Sequence, residues 1–457
     1  MLRCVTCCCL CLSLTVLYSD PLSADSTSLS VATFQVDATP PIGSPLCDAA
    51  VKPAKEIGDP LSARGIVILG SGRPIVLCAV DWVGIANGGY DRWRAALAEA
   101  AGTTIDRVEV HTLHQHDTPG CDFEAEQILA QRGLSGAMFP VAFVSDTIER
   151  AALACKEAIP RSSPATHIGL GRAKVDKVAS SRRPLGPDGK VKFVRWSSGN
   201  TAQVRAEPEG VYDPYVALVS FWNHDRPLAV LTYYAIHPMT FYGRGVVSSD
   251  LVGLARSIRE AALGGVPHIH FDGAGGDVTA GKYNNTTPAD RGILAERLAA
   301  GMKKAWETSR KVPITASDLA WRTTEAALPI NPTLPNEASL LDAVESKKLA
   351  TMYRVRAAED LAWVRREAAG HRIQLSCLKL GPAYILHMPG ELSVEYQLAA
   401  QKMCPHDFVC MAAYGDYGPG YICMAAQYSQ GGYEPTASRV GPNVESVLFA
   451  AMRELLQ

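Results

Sequence analysis

The sequence predicts one large α/β domain: mixed sheets with helices packed around them, antiparallel hairpins included. Three observations predict it. Apolar segments come in pairs joined by short turns, as in "ARGIVILGSGRPIVLCAVDWVGI" and "RIQLSCLKLGPAYILHMPGE", which is the pattern of β-hairpins. Stretches of helical period separate the pairs, without the strict strand–helix alternation of a doubly wound sheet. The composition, 47% hydrophobic and 20% charged over 457 residues, is that of a globular chain.

In chain order, "VATFQVDATPPIGSPL" predicts a strand stopped by Pro40-Pro41. The first hairpin turns at Ser71-Gly72, and "YDRWRAALAEAAG" follows as an amphipathic helix. "RVEVHTLHQHDTPG" predicts a strand that runs through His116 and ends at Pro119-Gly120. A helical region spans 137–159, and "ATHIGLGRAKV" and "KVKFVRWSS" predict short strands around the turn "GPDGK". "YVALVSFWNHDRPLAVLTYYAIHP" is a second hairpin, with Asn223-His224-Asp225 as its turn and Pro238 as its stop. Ser248-Ser249-Asp250 predict the N-cap of the next helix. "VPHIHFDGAGGDVTAGKYN" is a strand entering a glycine-rich loop, and a long helix opening at Pro288 follows it. The segment 336–370 reads as one or two surface helices with paired charges. The third hairpin turns at Gly381-Pro382, a helix covers 392–403, and a Gly/Tyr-rich loop precedes the terminal helix. No repeat is visible along the chain.

Residues 1–24 are expected to be a signal peptide rather than part of the fold. Arg3 supplies the positive end, "CVTCCCLCLSLTVLY" the short apolar run, and Ser23-Ala24 the small-residue cleavage site. The expected mature domain is 25–457, exported and without a transmembrane span. Net charge is −2, with no basic block, so nucleic-acid binding lacks electrostatic support. Five of the 13 cysteines lie in the leader. The other eight permit disulfides, with Cys404, Cys410 and Cys423 the expected partners, although a core of this size does not require them.

Chemistry-bearing residues gather at strand ends next to Pro or Gly. These are His114 and His116, His237, Asp277 and Thr279, and Glu391, followed by the loop tyrosines Tyr414, Tyr417, Tyr421, Tyr428 and Tyr433. On a strand, residues i and i+2 share a face, so His114 and His116 would serve one metal, or one metal and one proton carrier. Two histidines and a carboxylate are the ligand set of a catalytic zinc with a position open for water. His268 and His270, inside their strand, read as structural.

In order, "VDATPPIG", "LHQHDTPG", "SRRP", "AIHP", "SSDL", "GAGGDVTAG", "MPGE" and "GPGYICMAAQYSQGGYE" resemble the neutral/alkaline (non-lysosomal) ceramidase family. The resemblance runs from Val36 to Tyr433, over that family's N-terminal catalytic domain. It implies a Zn²⁺-dependent hydrolase acting on a small-molecule or lipid-like N-acyl substrate. By motif it implies His114, His237, Glu391 and Tyr421 as metal ligands. It also implies His116, Arg182 and Tyr433 around the scissile amide, with Thr279 at the position of a family serine. Asp117 stands where the family has serine, and adds a carboxylate. No C-terminal β-sandwich is expected before the chain stops, so ceramide itself is not implied. Other readings are a non-catalytic exported binding or scaffold protein, or a metallohydrolase acting on another bond. An amidohydrolase barrel would need regular βα units, and Thr118-Pro119 breaks the metallo-β-lactamase pattern.

Overall fold

The computed structural model describes residues 28–70, 72–197 and 201–457. The expected signal peptide and Ser71 of the first turn lie outside the described residues. The fold is the mixed α/β arrangement expected. Three sheets of five, five and four strands carry it among the described residues.

Each sheet contains the same unit: an antiparallel hairpin, a helix, then a strand added parallel to the hairpin's second strand. In the first sheet Ser62–Leu69 pairs with Ile75–Val80, helix Asn87–Ala101 follows, and Val108–Thr112 lies parallel to Ile75–Val80. In the second, Tyr215–Asn223 pairs with Arg226–Tyr234, helix Asp250–Ala262 follows, and His268–Asp272 adds in parallel. In the third, Ile373–Leu380 pairs with Ala383–His387, helix Val394–Met403 follows, and Phe408–Ala412 adds in parallel. The unit therefore repeats three times in space, although the three copies share no visible sequence pattern. Hydrophobic period is all that the units have in common, and many sequences satisfy it.

The three added strands are edges of their own sheets and meet one another at the centre. His111 Nε2 lies 2.9 Å from His387 Nδ1, and the His111 ring meets Phe271 edge-on at 5.7 Å. The backbone joins there as well: Ala413 N–H donates to Asp272 O and Thr112 N–H to Tyr414 O, both at 2.9 Å. The edges thus find partners instead of presenting unpaired groups to solvent. A buried ion pair braces the first two sheets. Arg256 donates to both oxygens of Asp81 at 2.8 Å, and both side chains are almost fully buried.

Several expectations need correction. The segment around "KVKFVRWSS" forms no strand: it makes a single bridge, Leu185 with Val191, and bonds irregularly to Pro184, Arg182 and Gln430. Ser249 does not cap its helix through its side chain, because its hydroxyl donates to Asp59. The 336–370 segment forms helices Glu337–Glu345 and Thr351–Ala368, as read. The second is more than a surface helix, since Val355, Ala358, Leu361 and Trp363 are buried. The cysteines at 404, 410 and 423 are free, as are the other five described cysteines. Cys410 points into the main core, whereas the Cys404 thiol faces the Leu456 carbonyl at 3.7 Å. His268 and His270 are structural, as expected, and both bond the Thr232 hydroxyl.

Two predictions follow from this packing. Phe271 is fully buried between His111 and Tyr233, so Phe271→Ala should cost about 3–5 kcal/mol in urea unfolding. Burial and the Arg256 charge push the His270 imidazole down to about 3. The unfolded chain therefore takes up this proton first as pH falls below about 6.5, and stability drops from there toward pH 3. In His270→Asn the fall in stability at acid pH should be shallower, by up to about 1.4 kcal/mol per pH unit.

Candidate metal centre

The strand carrying the His-x-His sequence ends earlier than expected, at Thr112. Leu113 and His114 donate to Val80 O and Trp82 O at 3.0 Å, which keeps the chain tied to the neighbouring strand end. His114 then takes a left-handed backbone, φ 54°. The two imidazoles therefore meet through a turn, with ring centroids 4.6 Å apart, and not as same-face residues of a strand. A non-glycine residue in this region is strained, and the surroundings hold it. The His114 Nδ1–H donates to Val83 O at 2.6 Å. The next residue, Gln115, is anchored to Asp81 Oδ1 at 3.1 Å and to Ser249 O at 3.2 Å.

His237 follows the second hairpin, where its N–H donates to Val278 O at 3.1 Å. Glu391 follows the third, past Gly390. Gly390 has φ 55°, and a side chain there would collide with Gly420 O. That tight approach allows Glu391–Leu392 to pair in parallel with Tyr421–Ile422, setting Glu391 opposite Tyr421. Arg182 follows the short strand Ser180–Ser181, and its N–H donates to Asp277 O at 2.7 Å.

These residues, remote in sequence, converge. Glu391 Oε2 lies 3.1 Å from His114 Nε2 and 3.5 Å from His237 Nδ1, and all three side chains are buried. His237 Nε2 lies 3.3 Å from His116 Nε2. Ligand atoms of His114, His116 and His237 fall within 4.8 Å of one another. The Tyr421 hydroxyl accepts from Arg182 Nη1 at 2.9 Å, and its ring stacks over His237 at 6.2 Å. Tyr433 meets Tyr421 edge-on at 5.6 Å.

The protonation pattern indicates what the cluster can hold. With His114 Nδ1–H donating to a carbonyl, Nε2 is the ring atom left to face the Glu391 oxygen, and in the neutral imidazole it carries the lone pair a metal would take. His237 Nδ1 and Glu391 Oε2 find no hydrogen-bond partner among the described residues. A divalent ion among these atoms would take one lone pair from each neutral imidazole and from the carboxylate, so the donor set fits a metal ion. Burial first, and the positive charge of Arg182 beside it, hold His116 well below the ordinary imidazole range. Burial and Arg182 do the same for His237. Both rings are therefore neutral near pH 7 and have lone pairs to offer. Burial alone would raise the Glu391 carboxyl; His114, Tyr417 and Arg182 hold it below its usual range.

The cluster forms one wall of a cavity of about 410 Å³, which His114, His116, Arg182, His237, Glu391, Tyr421 and Tyr433 all line. Thr279 does not line it. Its hydroxyl pairs with Ser197 Oγ at 2.9 Å and accepts from Gly281 N–H at 3.1 Å, so it shapes the loop behind His237. Asp277 accepts from Val394 N–H at 2.9 Å, at the start of helix Val394–Met403. The Asp117 carboxylate turns away to Gly243 N–H at 2.8 Å. Reading the sequence placed Tyr417 among the loop tyrosines but gave it no role; its hydroxyl donates to Glu391 Oε1 at 2.6 Å. That reading missed the cavity-lining face of helix Thr351–Ala368, Met352, Tyr353, Arg356 and Glu359. The paired charges of that helix gave no sign that one face would close a cavity.

No family model matches the chain, and no curated protein matches it. Solved structures do. The structure of neutral ceramidase from Pseudomonas aeruginosa matches with TM-score 0.69 and 15% identity, over 94% of this chain and 74% of that one. A ceramidase complexed with C2 matches with TM-score 0.69 and 14% identity, over 94% and 75%. The chain has a neutral ceramidase-like fold.

Replacing His114, His237 or Glu391 by alanine should abolish any stoichiometric divalent-metal binding that equilibrium dialysis detects in the unaltered chain, whereas Thr279→Ser should retain it.

Proposed function

We propose that the protein is an exported Zn²⁺-dependent hydrolase that cleaves an N-acyl amide bond. The observation that carries this reading is His114 Nε2 and the Glu391 carboxylate facing each other at 3.1 Å inside a cavity, beside the unpartnered Nδ1 of His237. The ceramidase-like fold supports the amide as the target. The N-terminal leader motif supports export, and no described helix is long and apolar enough to cross a membrane. The domain assignment, 25–457, follows the same reading.

His114, His237, Glu391 and Tyr421 would hold the metal. Zn²⁺, when bound, supplies Lewis-acid polarisation of the carbonyl and acidifies water at the site. The chain's own groups do the rest. Neutral His116 accepts the proton of the attacking water and returns it to the departing amine. The Arg182 guanidinium and the Tyr433 hydroxyl stabilise negative charge as it develops on the carbonyl oxygen. Burial of Glu434 beside Arg182, at 3.7 Å, orients that guanidinium. Tyr417 fixes the Glu391 carboxylate by holding its other oxygen. At the cavity mouth the exposed rings of Trp196 and Tyr353, with Met352, offer an apolar surface for an acyl chain.

The test is metal analysis of the purified protein together with amine release from N-acylated amines. One equivalent of zinc with turnover is expected; absence of both overturns the reading in favour of a non-catalytic binding protein. Tyr433→Phe should lower kcat by about 10²–10³ with zinc content unchanged.

A further inference from the structure

The cavity has a second wall whose chemistry is unlike that of an alkyl-chain pocket. It is built from Cys47, Asp48, Ala50 and Val51 and from one face of helix Thr351–Ala368. Cys47, Asp48 and Ala49 are consecutive left-handed residues, with φ of 48°, 52° and 62°. Side chains disfavour that region, and runs of it are rarer still. The turn is held by Cys47 N–H donating to Thr118 O at 2.8 Å and Ala50 N–H to Cys47 O at 2.7 Å. Gly120 makes room for it: a Cβ there would lie 1.7 Å from Asp48 Oδ1. The strained turn places Asp48 on the cavity, opposite Glu359 of the helix.

Neither carboxylate has a described donor within hydrogen-bond distance, and one of their oxygens, Asp48 Oδ1, is also cut off from solvent. No described residue donates a hydrogen bond to Asp48, and its Oδ1 is fully buried. Glu359, 6% exposed, has Arg439 Nη2 at 3.6 Å and no closer donor. Arg439 is already committed, with its Nε to Asp360 at 2.6 Å and its Nη1 to Gly418 O at 3.2 Å. Arg356, on the same helix, adds positive charge to Glu359 at longer range, so two guanidiniums face the three carboxylates Asp48, Glu359 and Asp360. Burial, only partly offset by Arg439, lifts Asp48 to about 7. Burial and the Asp48 charge lift Glu359 to about 8. Two acids held this way lack N–H donors, and the cluster holds one more carboxylate than it has guanidiniums.

We propose that Asp48 and Glu359 form a subsite for a protonated amine carried on the non-reacting end of the substrate's amine fragment. This rests on the amide-hydrolase reading of the same cavity and names its substrate class: N-acylated amines bearing a second, cationic nitrogen. An ammonium group brings three donors and one charge, which is what the two carboxylates are missing. The subsite adjoins the candidate metal ligands. Tyr417, which donates to Glu391, lies within electrostatic reach of Asp48. Arg356, also lining the cavity, makes no ion pair with a described residue and defines the opposing case, an anionic substrate.

The experiment compares N-hexanoyl derivatives of putrescine, butylamine and γ-aminobutyrate, which differ only in the charge of the distal group, with the zinc-loaded full chain. The putrescine derivative should exceed the butylamine derivative in kcat/KM by at least about tenfold, through KM. Asp48→Asn and Glu359→Gln should each shrink that ratio toward unity. Equal rates, or preference for the γ-aminobutyrate derivative, overturn the subsite while leaving amide hydrolysis intact. If none of the three is hydrolysed, the hydrolase reading fails, and calorimetric binding of the same three compounds decides the subsite: tighter binding of the cationic one supports it and equal binding overturns it. Should the strained turn make Asp48→Asn unfold, Glu359→Gln, on a regular helix, carries the test.

Discussion

Two backbone hydrogen bonds, from Ala413 to Asp272 and from Thr112 to Tyr414, join the ends of three edge strands that belong to three different sheets. The site depends on that junction. A parallel strand added to a hairpin leaves its outer edge unpaired, and here the three outer edges cover one another around His111, Phe271 and His387. The loops leaving the strand ends are thereby brought to one place. His114 and His116 come from the first unit, His237 from the second, and Glu391 and Tyr421 from the third. Each unit alone would carry an incomplete set, so the candidate metal site is complete only where the three sheets dock.

Around this junction the backbone is strained. His114, Tyr414 and Asp250 are left-handed, as are Cys47, Asp48 and Ala49 on the opposite wall of the cavity. Each such residue is held by contacts that leave it no alternative. Val83 takes the His114 ring, Tyr414 stacks on that ring at 4.7 Å, and Asp250 accepts from Thr240 N–H at 3.0 Å. Strain concentrated at one cavity is the pattern of a site whose geometry matters more than its local stability. The buried Asp81–Arg256 pair serves the same end. Through Gln115 it anchors the backbone between the two histidines.

Burial makes the electrostatics of the cavity decisive. On one wall, removal from water keeps His116 and His237 neutral, while neighbouring charge keeps Glu391 ionised. That is the charge state a divalent cation requires. On the other wall, removal from water without enough positive charge lifts Asp48 and Glu359 toward neutrality. The two walls differ because Glu391 has His114, Tyr417 and Arg182 close by, whereas Asp48 and Glu359 share Arg439, already bonded elsewhere, and Arg356 reaches only Glu359 and only at longer range.

The sequence by itself determined the hairpins, the helices between them, and the chemical identity of the candidate ligands. Each of those signals is local: an alternating apolar pattern, a Gly-Pro turn, a polar residue beside a strand-ending proline. It also carried, as ordered motifs, the resemblance that the fold bears out. The threefold recurrence of the unit was not legible, because a shared backbone path asks only for shared hydrophobic period. The left-handed turn at His114 was not legible either, since it is imposed by hydrogen bonds to Trp82 and Val83, thirty residues away along the chain. Nor was the displacement of Thr279, Asp277 and Asp117 from the cavity, which depends on partners such as Ser197, Val394 and Gly243. Only the tertiary structure decided which side chains share a cavity, because burial and facing charge arise between distant segments and leave no mark on either one alone.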